Sequence, residues 1–197
     1  MYQPKLFGQV ERLVLDRRRF FTGASQATLS AGAIALLTGC GSLARDAEAK
    51  SDTMADDAAI LNTALGAERE AVAAYQVGAE SGLLSAGVLQ VAVKFQDHHK
   101  QHADVLAKTI KQLGGTPDDA PAMYDFPVSQ LKTEADVLRF AAGLEKGAVS
   151  AYLGAVPLFG NRDLSKAAAS ILGDEAMHWA VLRGALGEDP VPVAFVS

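Results

Sequence analysis

Glu68-Arg69-Glu70-Ala71-Val72-Ala73-Ala74-Tyr75 and Glu145-Lys146-Gly147-Ala148-Val149-Ser150-Ala151-Tyr152 are two copies of one phrase, 77 residues apart. Glu, Ala, Val, Ala and Tyr hold the same places in both. Seven and three residues before Glu68, and four and seven after it, stand Leu61, Leu65, Val72 and Tyr75; around Glu145 the same offsets give Leu138, Ala142, Val149 and Tyr152. Those offsets trace one stripe of an α-helix, so each Glu stands where the stripe expects a leucine. Burying a bare carboxylate costs several kcal/mol or more, so it must be paired, protonated or bound to a cation. Two such carboxylates on two related helices point to a metal site.

Outward from these phrases, helical periodicity runs from about Asp56 to Ser81, where Gly82 closes the segment. A second segment runs from about Ser85 to Leu113, with Gly114-Gly115 and Thr116-Pro117 as C-cap and stop. Residues 115–132 contain Pro117, Pro121 and Pro127, too proline-broken for a helix and longer than most loops. A third helix begins near Thr133 and ends at or kinks before Pro157; a fourth, capped by Asn161 or Asp163, continues to about Leu186. Residues 187–197, with Pro190 and Pro192, read as a non-helical tail. Short loop, long crossover, short loop is the connectivity of an all-α, four-helix up-down bundle over residues 56–186. It is built of two helical hairpins related by an approximate twofold, the source of the 77-residue repeat.

Three of the four histidines lie in Gln96-Asp97-His98-His99-Lys100-Gln101-His102, and the fourth in Asp174-Glu175-Ala176-Met177-His178. At an offset of 76 residues His99-x-x-His102 aligns with Glu175-x-x-His178. Groups three apart share a helix face, so each pair can reach one point inside a bundle. The candidate ligands are therefore Glu68, His99, His102, Glu145, Glu175 and His178. His98 lies about 100° around its helix from His99, an outer or surface position. Tyr75 and Tyr152 each follow their Glu by seven residues on the same face. They are candidates for a hydrogen bond to a ligand or for redox-active phenols, with bundle-core tyrosines as the alternative. Trp179 reads as packing; Glu70 and Glu80 read as solvated.

This set resembles that of the ferritin-like, or rubrerythrin-like, di-metal carboxylate proteins, which use a Glu from each of two helices and a Glu-x-x-His from each of the other two. The resemblance covers residues 56–186. Glu68, Glu145 and Glu175 with His178 match, whereas His99 stands where the family has Glu. It implies one or two transition-metal ions, iron first and manganese, zinc or copper as alternatives, and oxidation of ferrous iron or reduction of peroxide. The departure at His99 leaves three carboxylates and three imidazoles in place of four and two, lowering the anionic charge by one. A single ion or mixed occupancy is therefore also open. The rival from another class is a non-catalytic envelope scaffold, either holding a structural ion or metal-free, with three carboxylates balanced by three protonated histidines.

The first forty residues read as an address. Asp16-Arg17-Arg18-Arg19-Phe20-Phe21 carries a twin arginine, Ala24 to Leu37 is apolar, and Leu37-Thr38-Gly39-Cys40 fits a lipobox. The apolar run is short of the roughly 20 residues needed to span a bilayer. Residues 1–39 are thus expected to be a twin-arginine lipoprotein signal, read at Arg17 and Arg18 by the twin-arginine export machinery, with Cys40 lipidated. Residues 40–55 would form a polar tether on the periplasmic side of the cell envelope. Ser42, second after the cysteine, lacks the aspartate that retains enterobacterial lipoproteins at the inner membrane, which favours the outer one. Cys40 is the only cysteine, so no intrachain disulfide is available. Without residues 1–39 the chain carries 13 Lys/Arg against 21 Asp/Glu, a formal net charge of −8 with no basic patch. Nucleic acid is not an expected partner; self-association stays open.

Overall fold

In the computed structural model, the backbone is described for residues 40–196 and the side chains for residues 50–196. Arg17, Arg18 and the apolar run lie outside the described residues, as does the side chain of Cys40. Among the described residues there are four α-helices and no strand: α1 (Cys40–Glu80), α2 (Ala86–Gln112), α3 (Glu134–Ala155) and α4 (Arg162–Ala185). Single 3₁₀ turns stand at Val128–Gln130 and Val156–Leu158. No helix among the described residues is long and apolar enough to cross a membrane.

The helix ends follow local chemistry. Thr133 and Asp136 form a reciprocal capping box at the start of α3, and the Asn161 side chain accepts from the Asp163 amide at the start of α4. At the end of α2, Gly114 takes a φ of +82°, and the Gly115 amide donates back to the Ile110 carbonyl at 2.9 Å. This is the left-handed glycine termination that a side chain would strain. Pro157 at the head of a 3₁₀ turn ends α3 at Ala155. The crossover is tied down by Asn62, whose amide donates to the Thr116 carbonyl and whose oxygen accepts from the Asp118 amide, both at 2.9 Å.

The first helix differs from expectation. Residues 40–55, read as a tether, are helical and continuous with the segment that starts at Asp56. Past Gly41 this stretch holds no glycine or proline and four of its residues are alanine, the best helix former, so intrinsic propensity suffices to extend α1 without an apolar stripe. Its later residues meet the turn before α4: a Cβ on Gly160 would overlap Thr53 Cγ2. Asp57, only 1 % exposed, accepts from the Gly160 amide at 2.8 Å and the Asn161 amide at 3.1 Å. Asp57→Ala strands both donors, and it is expected to cost about 2 kcal/mol and lower the melting temperature by about 4–8 °C, read by circular dichroism.

The core falls into two apolar clusters. One gathers Leu61, Leu65, Leu106, Ile110, Tyr152, Phe159, Leu164 and Ile171; the other gathers Tyr75, Phe95, Leu138, Ala141, Ala142 and Leu182. Along α1 and α4 the chain runs from the first cluster to the second, and along α2 and α3 from the second to the first. Hence α1 and α2 are antiparallel, as are α3 and α4, while the crossover returns the chain so that α2 and α3 run the same way. In every helix a buried polar side chain stands between the clusters: Glu68, His99, Glu145 and Glu175. A charged layer thus lies between two greasy ones.

Candidate metal centre

Each helix contributes to that layer from one face: Glu68 from α1, His99 and His102 from α2, Glu145 from α3, Glu175 and His178 from α4. All but His102 are at most 2 % exposed, and the His102 side chain is 16 % exposed. The six form two overlapping sets whose donor atoms lie within 4.8 Å of one another: Glu68, His99, His102 and Glu175, and His99, Glu145, Glu175 and His178. Glu175 and His99 belong to both. His99 Nδ1 is 2.8 Å from Glu68 Oε2 and His99 Nε2 is 3.3 Å from Glu145 Oε1, so the imidazole spans the carboxylates of α1 and α3.

The tyrosines cross between the two copies of the repeat. The Tyr152 hydroxyl donates to Glu68 Oε1 at 2.5 Å, and the Tyr75 hydroxyl donates to Glu145 Oε1. Burial pushes both phenols up, and the facing carboxylates, Glu68 for Tyr152 and Glu145 for Tyr75, push them further. Both therefore remain protonated donors that fix one oxygen of each Glu.

Asp174 is a site residue that the sequence reading quoted without giving it a role. Its Oδ2 lies 3.5 Å from His102 Nε2 and 3.3 Å from His178 Nε2. A carboxylate facing both outer nitrogens favours the proton there and leaves each Nδ1 lone pair turned inward. The available signal was its place four residues before His178, on the same helix face. His98, read as an outer group, is half-buried beside Asp174 and His178. Trp179 packs partly buried against the second cluster, with the Arg183 guanidinium 5.5 Å from its ring centre. Glu70 and Glu80 are exposed.

Whether this layer suits a cation can be judged from its unpartnered atoms. His102 Nδ1, His178 Nδ1, Glu145 Oε2 and both oxygens of Glu175 are buried with no hydrogen-bond partner. Leaving buried polar atoms unsatisfied costs about 1–3 kcal/mol each, more for charged groups. All five belong to the two donor sets, and mixed carboxylate and imidazole donors suit iron, manganese or zinc. The residues fit a metal.

Without a cation, the charges balance internally. Burial opposes protonation of His99, but Glu145 and Glu68 outweigh it and raise its pKa from 6.5 to about 10. His102 and His178 are likewise disfavoured by burial, yet Glu175 and Glu68 in one case, and Glu145 and Glu175 in the other, raise them to about 9. Burial pushes Glu68 and Glu145 up, but their histidine partners overcome it and hold both below the ordinary value of 4.5. Raised histidines stabilise the fold fully below pH 6.5 and lose that contribution as pH rises through 9–10. Lowered carboxylates contribute above pH 4.5 and lose it as pH falls. Denaturant titration of metal-free protein is therefore expected to show stability falling between pH 7 and 10, by on the order of a few kcal/mol.

A cleft of about 680 Å³ between α1 and α3 reaches this layer. Ala67, Ala71, Gly147, Ala148 and Ala151 line it, and it ends on Glu68, His99 and Glu145.

The family model for the ferritin-like domain matches residues 56–188. The chain belongs to the ferritin-like domain family. Solved ferritin-like structures superpose on it. A ferritin-like, diiron-carboxylate protein of Bacillus anthracis is 22 % identical, covers 68 % of this chain and 97 % of its own, and gives a TM-score of 0.59. The bacterioferritin of Desulfovibrio desulfuricans, whose diiron site was captured in different catalytic states, is 18 % identical over 70 % of this chain and 82 % of its own, with a TM-score of 0.63. A conserved hypothetical protein of Mycobacterium tuberculosis is 24 % identical over 67 % of this chain and 98 % of its own, with a TM-score of 0.62. At these identities the likeness speaks for the ferritin-like fold. No curated protein matches the chain.

Proposed function

We propose that this ferritin-like protein is exported by the twin-arginine route, lipid-anchored at Cys40 on the periplasmic side, and holds one or two transition-metal ions, iron foremost. There it oxidises ferrous iron or reduces peroxide. The observation that carries the reading is the set of five buried donor atoms on His102, Glu145, Glu175 and His178 that make no hydrogen bond. The diiron carboxylate sites of its structural neighbours support iron.

A bound iron would supply the redox chemistry. Each peroxide reduced to water takes up two electrons and two protons, balanced by two ferrous ions becoming ferric. Around that chemistry the chain supplies fixed groups. Tyr75 and Tyr152 hold Glu145 and Glu68 by one oxygen each, and Asp174 keeps His102 and His178 turned inward. The α1–α3 cleft admits a molecule the size of peroxide to the Glu68–His99–Glu145 side. A Cβ on Gly147 would meet nothing within 4 Å. Gly147→Phe is therefore expected to fill the cleft, leaving metal content unchanged and slowing peroxide consumption.

One observation favours a second reading, a metal-free scaffold: His99 faces a carboxylate with each ring nitrogen, as an imidazolium in a cation's place would. Metal content of protein purified without chelator, counted by inductively coupled plasma mass spectrometry, decides between them. One to two equivalents of iron, with ferrous oxidation when peroxide is added, support the proposal. A metal-free protein that also binds no ferrous, manganous, zinc or cupric ion on titration would establish the scaffold.

A further inference from the structure

On the outer side of the histidine wall lies a second cluster of donors. His98 Nδ1 is 2.9 Å from His178 Nε2 and 3.0 Å from Asp174 Oδ2, and His178 Nε2 is 3.3 Å from the same oxygen. We propose that His98, Asp174 and His178 form an outer site for one divalent transition-metal ion, on the far side of the His178 ring from the buried centre.

The separations have the right scale. With metal–ligand bonds of about 2.1 Å, adjacent corners of an octahedron lie about 3.0 Å apart and those of a tetrahedron about 3.4 Å apart. The three atoms at 2.9, 3.0 and 3.3 Å therefore match one face of a coordination polyhedron with little movement. Two imidazoles and one carboxylate on a single face are a donor set for iron(II) and its first-row neighbours, and they disfavour calcium and magnesium, which take oxygen donors. The His98 and Asp174 side chains are 29 % and 24 % exposed, so the remaining coordination positions face water. An ion can therefore arrive from solvent without the bundle opening.

The supporting structure is rigid. Phe95, buried in the second core cluster, stacks on the His178 ring with centroids 3.9 Å apart and planes at 24°, fixing the direction of Nε2. His178 Nδ1 belongs to the buried centre, and a neutral imidazole offers one lone pair, so this ring ligates either an inner ion with its proton on Nε2 or the outer ion with its proton on Nδ1. An ion held outside stands at the wall of the centre, the position from which it would be loaded. The outer site does not require the buried centre to be occupied.

His98 makes the clean test, because it belongs to neither inner donor set. Wild type, His98→Ala, His98→Gln and the double variant Glu68→Gln/Glu145→Gln are dialysed to equilibrium against Co²⁺ or Zn²⁺, and bound metal per chain is counted by mass spectrometry. Both His98 variants are expected to lose one equivalent, or to bind it at least ~10–100-fold more weakly, the cost of losing even a supporting partner of a metal site. The double variant should keep that equivalent. Wild-type stoichiometry and affinity in folded His98→Gln would overturn the outer site and leave His98 a hydrogen-bond partner of Asp174 and His178 only. If the double variant matches wild type while both His98 variants lose all their metal, the buried-centre reading fails and the outer site stands.

Discussion

Replacing Glu175 by alanine is expected to empty the buried centre and to lower the stability of the metal-free protein by about 3–5 kcal/mol. Glu175 is fully buried and has both carboxylate oxygens without a hydrogen-bond partner. It also belongs to both inner donor sets, whereas Glu68 and Glu145 each belong to one. Glu68→Ala and Glu145→Ala should therefore each remove part of the bound metal, and Glu175→Ala all of the buried portion. The stability cost arises separately. Glu175 Oε1 lies 3.1 Å from His102 Nδ1 and Oε2 lies 3.7 Å from His178 Nδ1. Removing it leaves three imidazoles facing Glu68 and Glu145 inside the layer, with only the part-exposed Asp174 on the outer side of two of them, so the buried charge is no longer balanced. With about 2–4 °C per kcal/mol for a chain of this size, the melting temperature should drop by about 10 °C. Metal analysis and thermal unfolding read the two effects independently. A Glu175→Ala protein that keeps its full metal content would place the ions away from the buried layer.

How much of this was legible in the sequence depends on which helix a partner sits on. Spacing along one helix is fixed by the 3.6-residue turn, so Glu68 with Tyr75, and Glu175 with His178, are readable as shared faces. The 77-residue repeat shows that two hairpins present the same faces, which is why the bundle and the meeting of its six polar side chains could be foreseen. The repeat does not show which hairpin a phenol reaches. Tyr75 bonds the Glu of the other copy, and Tyr152 does the same in return, through an interhelical approach that no spacing encodes. Asp174 escaped for the same reason, because its partner His102 lies on α2 and no spacing along α4 pairs the two. The extension of α1 back to Cys40 was hidden differently: without an apolar stripe, the sequence offers only propensity, a weak signal beside periodicity.

His99→Glu is expected to turn a protein that folds with or without metal into one that depends on it. In the metal-free state His99 places a ring nitrogen against Glu68 and another against Glu145, and its raised pKa keeps it a cation at neutral pH. A carboxylate there removes the imidazole that bridges the two and adds a fourth negative charge, leaving two imidazoles to balance it. Breaking a buried pair in this way costs about 3–5 kcal/mol before the added repulsion, so the metal-free variant should melt at least about 10 °C below wild type. Divalent ions reverse the sign, because the extra anion neutralises them better. Bound at a thousand times the dissociation constant, an ion returns about 4 kcal/mol. The difference in melting temperature between metal-loaded and metal-free protein should therefore be larger in His99→Glu than in wild type, and the number or identity of bound ions should change. Unchanged stoichiometry and metal identity would take His99 out of the ligand set. Unchanged metal-free stability would mean that its two hydrogen bonds, and the charge balance drawn from them, contribute nothing to holding the four helices together.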